Sequence, residues 1–154
     1  AILREVQKAK KILEADYQIP CRVLSLTSVK ELYKEAVSFE RENKLNRDVK
    51  KIPHVTQILS GEAKIVVAAT DYVRALPDML ARFISKSFYT LGTDGFGRSE
   101  SREQLRDFFE VDAKHIVLTV LSGLAEKGEV KEAIVAEALK KMGILSDKKN
   151  PMIS

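Results

Sequence analysis

The residues Gly92, Thr93, Asp94, Gly95, Phe96, Gly97, Arg98 and Ser99 hold the best-placed chemistry in this chain. They set three glycines, an acid and a base between a strand-like run, Ser87–Leu91, and a helix start at Ser99–Leu105. Glycine relieves the steric limit on φ, so such a loop turns sharply and lies close to a neighbour. Free N–H groups beside a helix N-terminus, with Arg98 at hand, would favour an anion such as phosphate. The order, however, is Gly-x-x-Gly-x-Gly rather than Gly-x-Gly-x-x-Gly. No Lys-Ser/Thr pair follows, and Asp94 would repel a phosphate. The competing reading is a structural corner packed on another domain or subunit, with Asp94 and Arg98 paired to backbone or to each other.

Other reactive side chains are scattered. His54 follows Pro53 at a helix start, and His115 lies beside the apolar stripe of a later helix. Neither has Cys or carboxylate partners at metal-ligand spacing, and His115 reads as a helix-surface or interface histidine. Glu40/Glu42 and Glu100/Glu103 fall on helix surfaces or first turns, where solvation and the helix dipole account for them. Nothing assembles a nucleophile, a base and an oxyanion site. The local reading therefore assigns no catalytic, cofactor-binding or metal-binding residue.

The elements that would position the loop follow from periodicity. The 154 residues are 45% hydrophobic, enough for one domain with its own core. The net charge of +4 comes from 26 basic and 22 acidic residues interspersed along helix faces. That is the pattern of solvated helices, and the sparse aromatics do not alternate with Lys or Arg as a base-stacking platform requires. Nucleic-acid binding is therefore not expected. The single cysteine, Cys21, excludes an internal disulfide framework and fits a reducing cytoplasm. No membrane-spanning run or signal-peptide pattern is visible, which points to a soluble cytoplasmic domain.

Ile2, Val6, Ala9 and Leu13 share one face of an opening helix. An α/β unit would place a strand and tight turn before it, so the chain is expected to be a fragment cut just after its first strand. Cys21–Leu26 reads as a buried strand after the Ile19-Pro20 turn. Ser28 with Glu31 has capping-box spacing ahead of the stripe Val29, Leu32, Tyr33, Ala36, Val37. Asn43–Lys51 reads as a surface loop, and Pro53–Leu59 as a short helix. Lys64–Ala69 is a near-continuous apolar run, as a strand covered on both faces would be. Asp71 to about Ser85 is helical, interrupted at Pro77.

After the loop the pattern is helical, with Asp112 as a cap and Gly128 and Gly143 as stops. The tail around Lys148–Pro151 reads as polar and loosely held. The expected fold is a three-layer α/β domain with a small, mostly parallel sheet and a helical C-terminal extension.

The run Gly92–Ala113, G-T-D-G-F-G-R-S-E-S-R-E-Q-L-R-D-F-F-E-V-D-A, resembles the C-terminal region of the homodimeric bacterial pyruvate dehydrogenase first component. V-L-S-L-T-S-V-K-E-L at 23–32, I-P-H-V-T-Q-I-L at 52–59 and A-A-T-D-Y-V-R-A-L-P at 68–77 resemble that family in the same order. The likeness runs from Ala1 to about Pro151. His54 stands where the family often has Tyr, and Glu42-Asn43 where it tends to have Trp-Asn. The transketolase C-terminal domain is a more distant likeness.

The resemblance implies a thiamine-diphosphate-dependent parent that decarboxylates pyruvate and reductively acetylates the lipoyl group of an acetyltransferase component. It implies that thiamine diphosphate and magnesium sit in upstream domains, at a subunit interface. The metal motif there begins Gly-Asp-Gly and ends in paired Asn residues. Thr93-Asp94-Gly95 is only superficially like it, and no Asn-Asn pair occurs in this chain. No cofactor ligand carries over. The domain would supply packing and contacts to the rest of the parent chain and its dimer mate. Two alternatives remain at this stage: the same domain of another transketolase-type enzyme, and an independent anion-binding module.

Overall fold

The computed structural model describes residues 1–95 and 99–153. Helix α1 spans Ile2–Tyr17, with Glu5, Ala9 and Leu13 on its buried face at four-residue spacing. It ends where Gln18 turns left-handed, at φ 53°, and returns its N–H to the Leu13 carbonyl. Helix α2, Val29–Leu45, starts on Ser28, whose hydroxyl accepts from Glu31 N at 3.3 Å. A short α3, His54–Ile58, leads to strand β1, Ile65–Ala69. One turn of helix, α4 (Ala75–Asp78), and a 3-10 turn at Ala81–Phe83 connect it to strand β2, Ser87–Leu91. Helices α5 (Arg102–Phe108), α6 (Ala113–Glu126) and α7 (Glu132–Lys141) follow.

Among the described residues the sheet has two strands, β1 and β2, paired in parallel with Ile65 opposite Ser87 and Ala69 opposite Leu91. Successive strand residues face opposite sides. Val67, Ala69 and Leu91 join Ala9 and Leu13 of α1 and Val117 and Leu121 of α6 in one core. Val66 and Phe88 join Val55, Leu80 and Ile84 in a second, closed by Leu32 and Tyr33 of α2. The sheet thus lies between two helical layers. Each fully buried Leu or Val, such as Leu121 or Val117, contributes about 1.5–3 kcal/mol by leaving water.

Helix α6 is therefore part of the α/β core rather than an appendage. It crosses the sheet at Gly123, where a Cβ would lie 2.8 Å from the Tyr89 ring and 3.0 Å from Ile65 Cδ1. The Tyr89 hydroxyl in turn donates to Glu126 Oε2 at 2.6 Å. That bond holds the phenol protonated and raises its pKa, with desolvation acting in the same direction.

Four expectations are corrected. Cys21–Leu26 is no strand: β1 pairs only with β2, and a strand exists only where a neighbouring edge completes its ladder. Cys21 is half-buried, and desolvation with the Glu14 charge beside it raises its thiol pKa. The helix expected from Asp71 to Ser85 survives only as α4 and the 3-10 turn. Helix α2 runs on to Leu45, into the expected loop; there Asn43 clips Lys51 with two bonds, 2.9 Å to its carbonyl and 2.8 Å from its N–H. Finally, the tail is not loose, because Pro151 is buried.

Candidate functional site

The site expected from the sequence lies at the C-terminal end of the two strands, where ligands or partners of α/β sheets gather. Gly92, Thr93, Asp94 and Gly95 are described there; Ser99 is exposed just ahead of α5. Phe96, Gly97 and Arg98, with the pairing expected of Arg98, lie outside the described residues.

The segment after β2 is stitched to the segment after β1. Thr70 N donates to Leu91 O at 3.0 Å, and Thr93 N donates to Tyr72 O at 2.9 Å. The Thr93 hydroxyl reaches Asp71 O at 2.5 Å. Gly92 is buried in this seam, where a Cβ would stand 2.7 Å from Tyr72 O and 2.9 Å from Arg74 N. Asp94 Oδ1 accepts from Arg74 N at 3.0 Å, and its Oδ2 lies 3.1 Å from Arg74 Nε. That second contact is close but off line for a hydrogen bond, so it is Coulombic, and among the described residues Nε has no aligned acceptor.

A cavity of about 390 Å³ opens beside the seam, lined by Ala1, Asp71, Thr93, Arg102, Leu105, Arg106, Phe109 and Val111. Its floor is apolar, and Arg106 is turned toward Glu5 Oε1 at 3.7 Å. Tyr72 and Val73 next to it are exposed.

A second polar cluster, unforeseen in the sequence, gathers at the N-terminus of α6. Asp112 caps the helix through His115 N at 3.1 Å and takes the His115 ring at 2.6 Å from Nδ1. Glu5, buried on α1, also serves this terminus, with Oε2 accepting from Ala113 N at 3.0 Å. His115 is corrected here: it is buried at 4% exposure, not on a helix surface, because Asp112 satisfies Nδ1. Its Nε2 has no partner among the described residues.

Asp107, Asp112 and His115 offer donor atoms within 4.8 Å of one another, but the Lys114 ammonium already sits on Asp107. Hydrogen bonding to Lys114 lowers the Asp107 pKa and raises that of Lys114. The cluster is arranged as a helix cap with its own cation. His54 sits elsewhere, its N–H on Glu35 Oε2 at 2.8 Å.

Residues 1–112 match the transketolase-like TK C-terminal domain family. The chain belongs to that family. The match covers α1 through α5, and similarity to the relatives below continues through α6 and α7. The chain is 42% identical over 153 residues to the pyruvate dehydrogenase E1 component of Pseudomonas aeruginosa, covering 98% of this chain and 17% of that one. It is 42% identical over 154 residues to that of Haemophilus influenzae (99% of this chain, 17% of that one). To that of Escherichia coli K12 it is 39% identical over 156 residues (100% and 17%). The chain thus spans about one sixth of the length of these relatives. No helix among the described residues is long and apolar enough to cross a membrane.

Proposed function

We propose that this chain is the non-catalytic C-terminal domain of a pyruvate dehydrogenase first component. The parent enzyme would decarboxylate pyruvate and pass the acetyl group to the lipoyl group of the acetyltransferase component. Thiamine diphosphate in the upstream domains would supply the electron sink for that chemistry. The reading rests on the identity to named pyruvate dehydrogenase components across 98% of the chain.

The described donors of the glycine corner do not fit the cofactor. A magnesium-bound diphosphate needs several free oxygen ligands at one place. Asp94, the acid inside the glycine corner, is committed to Arg74, and the N–H of Thr93 is spent on Tyr72 O. The same commitments argue against a phosphate cradle. The corner's role would be structural: it seals the two strand ends together and presents Tyr72 and Val73 to the rest of the parent chain or its dimer mate. The cytoplasm would be its compartment.

The test is to express the full reading frame that contains Ala1 and follow lipoyl acetylation from pyruvate with thiamine diphosphate and magnesium. Turnover that requires pyruvate and thiamine diphosphate is the expected result. A full-length protein that is inert toward pyruvate but transfers ketol groups between sugar phosphates would move the domain to a transketolase-type enzyme instead.

A further inference from the structure

The C-terminal tail touches the fold at two separated points, and both are built. Helix α5 ends at Phe108 with Glu110 held left-handed at φ 60°, a conformation that glycine usually supplies. Lys148 reaches this helix end: its ammonium donates to the Asp107 carbonyl and lies 3.9 Å from both Asp107 Oδ2 and Glu110 Oε1. A cation on the last carbonyls of a helix is favourably placed against the helix dipole.

The second point is the glycine corner. Asn150 folds the chain back, its Oδ1 accepting from Met152 N at 2.9 Å and its carbonyl from Ile153 N at 3.2 Å. This turn sets Pro151 down, buried, against Gly95. A Cβ on Gly95 would stand 2.4 Å from Pro151 O, and Gly95 itself has φ +107°. Glycine is therefore demanded twice at 95, once by the backbone and once by the tail.

We propose that Lys148–Met152 is a strap that fixes the glycine corner from the far end of the chain, anchored on the α5 terminus and closing on Gly95. The corner has its own bonds to the β1 side through Thr93 and Asp94. The strap closes its other side, so the order of the strand-end surface depends on the tail. This inference goes beyond the enzyme assignment, and its readout does not involve turnover.

Hydrogen exchange on the full-length chain tests it, with Lys148→Ala and Pro151→Gly as point variants and a chain ending at Asp147 as the full deletion. Release of a local contact should speed exchange in the peptide carrying Thr93 about tenfold, leaving the Ile65–Ala69 peptide unchanged. Gly95→Ala should reproduce the pattern, because its methyl group lifts Pro151 away. Unchanged exchange at Thr93 in the point variants overturns the strap. So does a rise of equal size in Ile65–Ala69, which would mean global loosening.

Discussion

Asp94 holds Arg74 by two oxygens at once, one on the backbone N–H at 3.0 Å and one 3.1 Å from the guanidinium Nε. The two residues are twenty apart in sequence and belong to different strand ends. Their contact converts two loops into one rigid seam, and it gives the acid in the glycine corner a structural task.

Asp94→Ala leaves the Arg74 N–H and guanidinium without their anion. Asp94 is largely buried, so the loss should be about 1.5–3 kcal/mol, the range for hydrogen bonds to charged groups. Thermal unfolding should show it as a fall of several degrees. A double-mutant cycle with Arg74→Ala, which keeps the backbone N–H, should give a coupling well below the whole loss. A coupling equal to the whole loss would assign the energy to the ion pair instead of the backbone bond.

Gly123→Ala sets two effects against each other. Alanine gains roughly 0.8–1 kcal/mol of helix propensity over glycine. Against that, the new methyl would meet the Tyr89 ring at 2.8 Å, and the hydroxyl bond to Glu126 keeps the ring from swinging clear. Overpacking of this kind costs about 1–3 kcal/mol, so the variant should be less stable by about 1 kcal/mol. Adding Tyr89→Leu, which removes the ring, should recover part of it. A Gly123→Ala chain that melts higher than the parent would show that the helix–sheet approach is looser than described.

The Asp107–Lys114 pair makes an acid limb with a definite sign. The carboxyl pKa is depressed from its ordinary 3.8 by the Lys114 hydrogen bond. Its stabilisation is therefore complete above that value and is lost as pH falls through the lower folded one. Lys114, raised from 10.5, loses the same interaction again at strongly alkaline pH. Melting temperatures of wild type and Asp107→Asn should differ above the ordinary carboxyl value of 3.8 and converge as the pH falls below it through the lowered folded one. A gap that persists at the acid end would mean that Asp107 acts through something other than its charge.

Among the described residues β1 pairs with β2 alone, and Leu24 and Leu26 stay exposed at 42% and 37%. An open strand edge flanked by apolar side chains favours pairing. Adding the segment that precedes Ala1 in the full reading frame should raise the melting temperature, and equal values would contradict the expectation.

Local signals carried most of the fold into view. The stripe of α6, the Asp112 cap and the apolar run of β1 each depend on neighbours within a turn or a strand. What stayed hidden depends on distant residues. The fate of Cys21–Leu26 turned on whether a partner edge was present, and periodicity does not report that. Glu5 reaches Ala113 across 108 positions, and neither residue type announces it.

His115 read as a helix-surface or interface residue because it lies beside the apolar stripe, and its spacing to Asp112, three along a helix start, also serves an ordinary cap. One signal was available there: an Asp cap followed by a His at that spacing brings the carboxylate within reach of the imidazole Nδ1. The glycine corner was legible as a motif, but its partners in the Asp71–Arg74 segment were not.

We place the chemistry of the parent outside this domain. Calorimetric titration of thiamine diphosphate with magnesium, into the 154-residue chain and into the full-length protein side by side, tests it most directly. Saturable binding by the full-length protein, with no heat of binding for the domain, is the expected result. Saturable binding by the domain alone, abolished by Asp94→Ala, would contradict it and return the glycine corner to the chemistry.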